Sequence, residues 1–410
     1  MNKTRCVAIL LGLLTAGCTE SAPSRRPPSA GAPTEAPAAA ERHPALSLDS
    51  HSAVLSKAPV ARFKGRRPPR VVFLNPGRSD ETFWNMVAGF MSAVVEDLPV
   101  ELEMLTAERD HILMRDMVRR VCQRTTKPDY LLLVDEKDTG ASMLEISEAA
   151  GVRCFLLLNP LSAKPAKRLG GPREHLKTWI GALIVDQERA GYDIGKSLLR
   201  AARQRLPAPA PLPALAISGN QSTTAAIERN KGLTRALSED PDAGLQQMIF
   251  SQWRRDKAAR QSAGLLRRYP ETRLIWAAND DMALGALEAA RAQGLTPGEG
   301  LFVSGLNWAT DALTEVRDGH MAASIGGHFM GGGWALIMLF DHYHGLDFAS
   351  PEPTRKLVMG TIDLTNVGPY LERFGDRDWS SVDFTRFSKA HDSELEAYEF
   401  SVTGLLAHTR

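Results

Sequence analysis

The sequence predicts an α/β fold made of two doubly wound parallel-sheet lobes, and three observations support this prediction. Short apolar runs alternate with amphipathic stretches from residue 70 onward, as expected when each strand is followed by a helix. The runs 130–134 and 154–158 are apolar at every position, which is typical of strands buried on both faces of a parallel sheet. The alternation continues for about 300 residues, whereas one such sheet needs about 150, so we expect two sheets.

Each predicted strand is a short apolar run, and each predicted helix carries apolar residues three and four positions apart. The predicted strands are 70–75, 100–105, 129–134, 153–158, 178–183, 214–218, 246–251, 272–277, 300–304, 321–325 and 355–361. The predicted helices are 81–97, 109–124, 140–150, 187–205, 223–239, 256–269, 280–293, 309–319 and 329–344. The proline-alternating segment 207–213 is expected to connect a helix to the next strand at the surface.

Residues 1–17 have the build of a secretory signal peptide, with a positively charged start and an apolar stretch over 6–16. The ending Leu14-Thr15-Ala16-Gly17-Cys18 resembles a bacterial lipobox. This resemblance implies cleavage before Cys18 and lipidation of its sulfur, and Thr19 in place of Asp favours the outer membrane. The alternatives are an ordinary signal peptide or a chance cysteine in an apolar run.

The segment after the lipobox has a composition typical of disordered chain. Fifteen of the twenty residues 21–40 are Ala, Pro or Ser, so this segment cannot bury enough apolar surface to fold. We therefore interpret 18–67 as a lipidated cysteine followed by a disordered tether. The expected location is the bacterial cell envelope, facing the periplasm, with membrane attachment only through the lipid.

The charge balance and the cysteines exclude several classes of protein. Lys and Arg total 49 and Asp and Glu total 48, so bulk binding to nucleic acid or to an anionic membrane is not expected. The four cysteines are too few for a disulfide-dense scaffold. After processing, Cys122 and Cys154 could pair in the oxidising envelope or remain two buried free thiols, and the sequence leaves both possibilities open.

The sequence contains no motif that indicates an enzyme. A GxxxxGK[ST] phosphate loop, an HExxH metal motif, a GxSxG nucleophile elbow and paired CxxC motifs are all missing. His328, His342 and His344 could be imagined as metal ligands, but solvated or capping histidines are the commoner explanation. We therefore expect no catalytic activity, no cofactor and no metal.

Candidate binding residues follow the predicted strands, where ligands bind in doubly wound folds. They are Phe83, Trp84, Asn159, Arg229, Trp253, Asn279, Asp280 and Asn307. Aromatic faces stack on sugar-like rings, while amide, carboxylate and guanidinium groups hydrogen-bond hydroxyls. Singly, each position has an ordinary explanation, such as helix capping by Asn279 or core packing by Trp84. Their recurrence at successive strand ends favours a shared ligand site.

Three stretches show a resemblance to type I periplasmic binding proteins, of the ribose-binding and LuxP-like group. They are Ala278-Asn279-Asp280-Asp281-Met282-Ala283-Leu284-Gly285-Ala286-Leu287, Thr224-Ala225-Ala226-Ile227-Glu228-Arg229-Asn230-Lys231-Gly232-Leu233, and Val303-Ser304-Gly305-Leu306-Asn307 followed by Val316-Arg317-Asp318-Gly319. The resemblance covers roughly residues 68–365, and the opening 75–84 is most similar to the LuxP-like subgroup. It implies two lobes joined by a three-strand hinge, with the ligand in the cleft between them.

Carried over from this resemblance, the N-terminal lobe is 68–182 plus 328–346 and the C-terminal lobe is 183–327 plus 347–365. Residues 366–410 form an extension beyond the family core, in which 393–398 is expected to be helical and to pack on a lobe.

The resemblance also implies a role for each candidate residue. Phe83 and Trp84 are expected to stack on the ligand, Arg229 to clamp it, and Trp253 and Asn279 to line the second lobe. Asn159 stands where sugar binders often place Asp and where the LuxP-like group places Asn, and Pro160 replaces the Arg that ribose binders place next. Asn307 stands where sugar binders have Asp, and Gly327 stands where the family has a polar hinge residue. These differences argue against ribose. The second-lobe Trp and the hinge Arg of the LuxP-like subgroup are not matched at 306–307 and 327, which argues against a furanosyl borate. Trp308 and His328, each displaced by one position, could substitute for that Trp and that Arg.

The expected function is that of a monomeric lipid-anchored solute-binding protein that delivers a small polar, sugar-like molecule to an ABC permease. The alternative is a sensor subunit that presents its ligand-bound state to a membrane kinase or cyclase. An enzyme on this fold is disfavoured because no nucleophile–base pair is found. A transcription repressor of the same fold is excluded because 1–67 holds no helix-turn-helix.

Overall fold

Two sheets organise the chain in the structure, a computed structural model that describes residues 52–55, 66–207, 209–349 and 352–409. The first sheet has seven strands, in the spatial order Ser52–Leu55 (β1), Glu101–Thr106 (β3), Arg70–Asn75 (β2), Tyr130–Leu133 (β4), Arg153–Leu158 (β5), Trp179–Val185 (β6) and Thr354–Leu357 (β12). The second has six, in the order Gly360–Asp363 (β13), Ala323–Gly326 (β11), Phe302–Asn307 (β10), Leu274–Ala277 (β9), Leu212–Ser218 (β7) and Ala243–Phe250 (β8). Among the strands of these two sheets in the described residues, β1 at the edge of the first sheet and β13 at the edge of the second pair antiparallel, and the others pair parallel.

Of the twelve α-helices in the described residues, nine lie where the sequence predicts them. The twelve are Thr82–Asp97 (α1), His111–Cys122 (α2), Gly140–Ala150 (α3), Ala163–Leu169 (α4), Gln187–Arg205 (α5), Thr224–Ser238 (α6), Arg255–Arg268 (α7), Asp280–Arg291 (α8), Thr310–Arg317 (α9), Gly331–Tyr343 (α10), Val367–Phe374 (α11) and Val402–Ala407 (α12), with 3₁₀ turns at His328–Met330 and Phe384–Phe387. Every residue of β4 is buried, because helices cover both faces of the sheet. The prediction of two doubly wound lobes is confirmed.

The chain passes between the two sheets three times. It leaves the first sheet after β6, returns after β11, and crosses again between β12 and β13. The single strand predicted over 355–361 is therefore wrong, because β12 pairs with β6 whereas β13 pairs with β11. The first sheet thus takes Thr354–Leu357, which the sequence prediction grouped with the second lobe. An apolar run does not reveal which sheet it joins.

The described part of the predicted tether contains one ordered element. Ser52–Leu55 pairs antiparallel with β3, so the expectation of disorder throughout 18–67 is wrong at these four residues. The pairing satisfies backbone groups that β3 would otherwise present at an open sheet edge. The predicted signal peptide, Cys18 and most of the tether lie outside the described residues.

Helices α5 and α6 of the second lobe pack against each other at very short distance. A Cβ at Gly191 would lie 2.0 Å from the Arg229 carbonyl oxygen, and one at Gly232 would lie 2.0 Å from that of Glu188. The two helix backbones therefore touch, which only glycine permits. This contact places Arg229 beside Gln187, the first residue of α5.

The C-terminal extension packs on both lobes through aromatic contacts. Tyr370 on α11 lies edge-on to Trp308 of the second lobe, with ring centroids 5.2 Å apart. Farther along, Trp379 packs on Phe90 of the first lobe at 5.0 Å, and Phe400 stacks on Trp334 at 4.8 Å. The extension therefore shares the hydrophobic core of the first lobe.

The helix predictions differ from the structure in four places. Helices α4, α11 and α12 are missing from the predicted set, and 393–398, which is expected to be helical, forms turns and irregular chain. Tertiary hydrogen bonds to Asp341 hold the backbone of 389–390, just before this segment, and Tyr398 also bonds to Asp341. These contacts override the helical preference of the sequence.

The two cysteines of the domain are buried free thiols, which decides between the two possibilities that the sequence left open. Burial raises the pKa of the Cys154 thiol to about 12, so it remains protonated at neutral pH. No helix in the described ranges has both the length and the apolar character of a membrane span.

Candidate functional site

The strand ends of both sheets line one cavity. Seven of the eight residues predicted from the sequence lie in its wall: Phe83, Trp84, Asn159, Arg229, Trp253, Asn279 and Asn307. The tertiary structure thus brings together residues that are up to 224 positions apart along the chain (83 to 307).

Asp280 is the exception among the predicted residues. It is fully buried outside the cavity wall, where its carboxylate accepts hydrogen bonds from the Ala309 N–H at 2.8 Å and from the Ser324 hydroxyl at 2.9 Å. It therefore holds the loop that follows Asn307. Asn279 has two roles, because it lines the cavity and its side chain also caps α8 by accepting from Met282 N–H at 2.9 Å.

Polar residues that the sequence analysis did not select as site residues also line the cavity: Glu81, Arg109, Glu136, Gln187 and Thr223, together with His328, which was named only as a substitute. Glu136 and Gln187 lie just after strands, so the strand-end rule could have found them. Arg109 likewise follows β3, which ends at Thr106, but only the fold shows that it lies beside Glu81. Trp308, the other proposed substitute, packs instead at the hinge, with its indole N–H donating to the Ser324 carbonyl at 3.0 Å.

Two tryptophans of the cavity wall, one from each lobe, each pack directly against a glycine. A Cβ at Gly77 would lie 2.1 Å from Trp84 Cδ1, and one at Gly219 would lie 2.1 Å from Trp253 Cζ2. The indole Nε1 atoms of Trp84 and Trp253 are buried without a hydrogen-bond partner among the described residues. Because a buried unpaired donor is costly, a ligand in this cavity that supplies acceptors to these N–H groups would gain free energy of binding.

The substitution Gly77→Ala is expected to lower the free energy of unfolding by ~1–3 kcal/mol, because the new methyl group overlaps the Trp84 ring and forces it to move. Gly89→Ala on α1 is the matched control, since nothing lies within 4 Å of a Cβ there. It should stabilise the helix by ~0.5–1 kcal/mol. Urea unfolding followed by circular dichroism measures both variants. Equal stability of the two would contradict the close contact between Gly77 and the Trp84 ring.

A buried chain of hydrogen bonds joins the two lobes at the base of the cavity. Asn159 donates to the Asp135 carbonyl at 3.1 Å, and Gln187 donates to Asn159 Oδ1 at 3.2 Å. Arg229 Nε then donates to Gln187 Oε1 at 2.8 Å, and its Nη1 donates to the Ala278 carbonyl at 2.7 Å. The chain fixes the orientation of Asn159 and Arg229 toward the cavity that they line.

Burial controls the charge of two basic side chains that line the cavity, Arg229 and His328. It lowers the pKa of Arg229 to about 9, so the guanidinium is still charged at neutral pH. It also lowers the pKa of His328 well below the usual value, and the Arg229 charge acts in the same direction. His328 is therefore a neutral imidazole, stacked on Phe83 with ring centroids 4.5 Å apart.

The first lobe contributes an ionic cluster. Arg109 Nε donates to Glu81 Oε2 at 2.9 Å and its Nη1 to Glu136 Oε2 at 3.0 Å, with a further bond from Nη2 to Glu81. Burial opposes the charge on Arg109, but the two carboxylates outweigh this effect and raise its pKa. Each carboxylate keeps further acceptor capacity, which suits ligand hydroxyls.

Several residues of the cavity wall adopt backbone conformations that favour glycine. The φ angles are +61° at Arg109, +63° at Leu158, +64° at Trp253 and +146° at Asn307. Such conformations cost free energy and cluster at binding sites, where the surrounding structure enforces them. The site is therefore shaped by the tertiary structure rather than by local preference.

Wild-type protein is expected to lose stability with rising pH, relative to the variant Asp280→Asn, between about pH 4 and pH 8. Burial raises the pKa of Asp280 to about 7, above the ordinary value of 3.8. The folded state therefore holds this proton more tightly, and the stability it contributes is complete below about pH 4 and is lost as pH rises through about 7. The change should be at most ~4 kcal/mol, since a tenfold change in proton affinity is worth ~1.4 kcal/mol. Urea unfolding at several pH values tests this, and parallel curves for the two proteins would refute it.

Two α/β lobes, three crossings between them and a cavity at their junction define a ligand-binding protein of the hinged, two-lobed class. Residues 71–344 match the family model described as periplasmic binding protein domain. The chain belongs to the periplasmic binding protein family.

A solved structure of a periplasmic sugar-binding protein from Pseudomonas fluorescens is 39% identical, with a TM-score of 0.74, and the match covers 82% of this chain and 99% of that one. A galactofuranose-binding protein structure shares the fold at 20% identity and a TM-score of 0.64, over 75% of this chain and 98% of that one.

Curated relatives match over shorter segments. The ribose import binding protein RbsB of Salmonella typhimurium is 32% identical over 112 residues, 27% of this chain and 36% of that protein. The xylitol-binding protein of Mycolicibacterium smegmatis is 32% identical over 94 residues, 23% of this chain and 26% of that protein. The chain thus matches only about a quarter to a third of the length of these relatives. Within the described residues, no group of three or more His, Cys, Asp or Glu side chains could hold a metal ion.

Proposed function

We propose that this protein binds a small, sugar-like ligand in the cleft between its lobes and delivers it to an ABC importer. The observation that carries the proposal is the pair of buried, unpartnered indole N–H groups of Trp84 and Trp253 in one cavity. A ligand with several oxygen acceptors would satisfy both, and the rings would cover its apolar C–H faces. The sugar-binding relative from Pseudomonas fluorescens supports this class of ligand.

The remaining polar groups of the cavity suit hydroxyls. Glu81 and Glu136 accept hydrogen bonds, Arg229 donates them, and amides such as Asn159 do both. Because a hydroxyl both donates and accepts, a polyhydroxylated ring can use each of these groups. A purely apolar ligand would leave them unpaired in a closed cleft, at a cost.

Ligand contacts from both lobes favour closure of the cleft. Trp84 and Glu81 come from the first lobe, and Arg229 and Trp253 come from the second. A direct hydrogen bond, from the Thr82 hydroxyl to Asp281 Oδ1 at 3.2 Å, also joins the lobes. A ligand that binds the closed state more tightly shifts the population toward it, and a permease can recognise that state.

Lipid attachment at Cys18, with the outer membrane as the favoured location, belongs to the same proposal. A Cys18→Ser variant should lose labelling by palmitate in cells, and continued labelling would refute the anchor.

The ligand-binding proposal is tested by thermal unfolding with a panel of pentoses, hexoses, polyols, nucleosides and amino acids. A sugar present at about 100 times its dissociation constant should add ~2.7 kcal/mol of stability and raise the melting temperature. Stabilisation by amino acids or nucleosides but by no sugar or polyol would overturn the proposal. ATP-dependent uptake in vesicles that carry the permease tests delivery.

A further inference from the structure

We propose that the ligand carries an anionic group, the carboxylate of an acidic sugar, which binds the guanidinium of Arg229. This inference rests on the proposed sugar-binding function and narrows its class of ligand. The ligand would be a uronate or aldonate rather than a neutral sugar.

Arg229 is a buried cation whose partners in the protein are all neutral. Its side chain meets the amide oxygen of Gln187 at 2.8 Å and the backbone carbonyl of Ala278 at 2.7 Å. The residue is 5% exposed and lines the cavity. In the described part of the chain it forms no ion pair, and its Nη2 makes no hydrogen bond.

A buried charge without a counter-ion is unfavourable, so proteins pair such charges or use them to bind ligands. The lowered pKa of Arg229 reflects this cost, yet at about 9 it leaves the group charged at neutral pH. Guanidinium groups bind carboxylates through two parallel hydrogen bonds. Arg229 Nη2, which has no hydrogen-bond partner in the described residues, is therefore available to donate to a ligand carboxylate.

The other charged groups near the cavity do not neutralise Arg229. Glu81 and Glu136 are both bound to Arg109, and His328 is neutral. Asp280 attracts Arg229 electrostatically, but it lies outside the cavity wall and its hydrogen bonds go to Ala309 and Ser324. The remaining polar residues of the wall are uncharged, namely Asn159, Gln187, Thr223, Asn279 and Asn307.

A second observation points to the same class of ligand. Trp253 lies under Arg229, with the guanidinium carbon 5.7 Å from the ring centre, and its buried Nε1 has no partner among the described residues. An indole N–H only donates, and an ionised carboxylate only accepts. Arg229 and Trp253 thus form a set of donors on the second lobe that is complementary to a carboxylate.

The position of the acidic cluster also predicts how the ligand lies. Glu81 and Glu136, on the first lobe, would repel an anion but accept hydrogen bonds from hydroxyls. The hydroxyl-bearing end of the ligand is therefore expected against the first lobe, and the carboxylate against Arg229 on the second. A neutral sugar would fill the same cavity but leave the Arg229 charge uncompensated.

Calorimetric titration with matched pairs of sugars tests the inference on the full chain. The pairs are galactose with galacturonate, glucose with glucuronate, arabinose with arabinonate, and ribose with ribonate. At least one acid should bind ten or more times more tightly than its neutral partner. In Arg229→Gln this preference should fall to about threefold or less, whereas Arg229→Lys should retain part of it.

Arg235→Gln is the matched control, since Arg235 lies on the same helix and pairs with Glu188 at the surface. It should retain the full preference for the acid. This result would show that the preference comes from direct contact with Arg229 and not from the general attraction of an anion by positive charge on the protein. If neutral sugars bind as tightly as their acids in the wild-type protein, the inference fails and the sugar-binding proposal stands. If no member of any pair binds, the inference fails, and the panel of sugars and polyols decides the sugar-binding proposal. The wild-type comparison is decisive even if Arg229→Gln does not fold.

Discussion

Replacing Asp341 with alanine is expected to lower the free energy of unfolding by ~3–5 kcal/mol. The Asp341 carboxylate, buried on α10, accepts hydrogen bonds from the Ser388 hydroxyl at 2.5 Å and the Lys389 N–H at 2.8 Å. It also accepts from the Ala390 N–H at 3.0 Å and the Tyr398 hydroxyl at 2.8 Å. Alanine would leave four donors of the C-terminal extension without this acceptor, and each buried unpaired donor is costly.

Asp116→Ala is the control for this prediction, because Asp116 is partly exposed and, among the described residues, its ion pair is with Arg119 on its own helix. It should change stability by less than ~0.5 kcal/mol. Asp341→Asn should fall between the two, since an amide keeps one acceptor oxygen. Urea unfolding measures all three. If Asp341→Ala proves as stable as Asp116→Ala, the extension does not depend on this carboxylate.

The substitutions Trp84→Phe and Trp253→Phe are each expected to weaken sugar binding by ~1–2 kcal/mol, or about fivefold to thirtyfold. Phenylalanine keeps an aromatic face for the ligand ring but removes the N–H group. In the free protein each Nε1 is buried without a partner in the described residues. Removing the N–H group therefore breaks no hydrogen bond of the free protein but removes one from the complex with the ligand. The loss should therefore appear in affinity, while the unfolding free energy changes little.

Trp334→Phe separates this effect from a general effect of replacing tryptophan. Trp334 Nε1 is likewise buried and lacks a partner in the described ranges, but the ring lies against Phe387 and Phe400 of the extension, outside the cavity wall. Its replacement should leave affinity unchanged. Calorimetric titration with the sugar that stabilises the wild type most gives the comparison. Equal affinities in all three variants would show that the indole N–H groups of Trp84 and Trp253 do not bind the ligand.

The strand-end rule worked for residues whose position follows from local pattern. Phe83 and Trp84 open the helix after β2, and Asn159 follows β5 directly. Because the carboxyl ends of parallel strands meet at one edge of a sheet, a correct list of strands already places such residues together. The rule placed Asp280 in the same site, but the structure turns its side chain toward Ala309 and Ser324.

The sequence by itself determined the two-lobed α/β fold and seven residues of the cavity wall, because apolar periodicity and strand-end position are local properties. Only the tertiary structure decided that 355–361 divides between two sheets and that Asp341 anchors the extension. It also decided that Arg109 joins Glu81 and that Arg229 is buried without an ionic partner in the described chain. These features depend on distances between residues far apart in the chain, and burial in the folded protein then determines the cost of each unpaired charge.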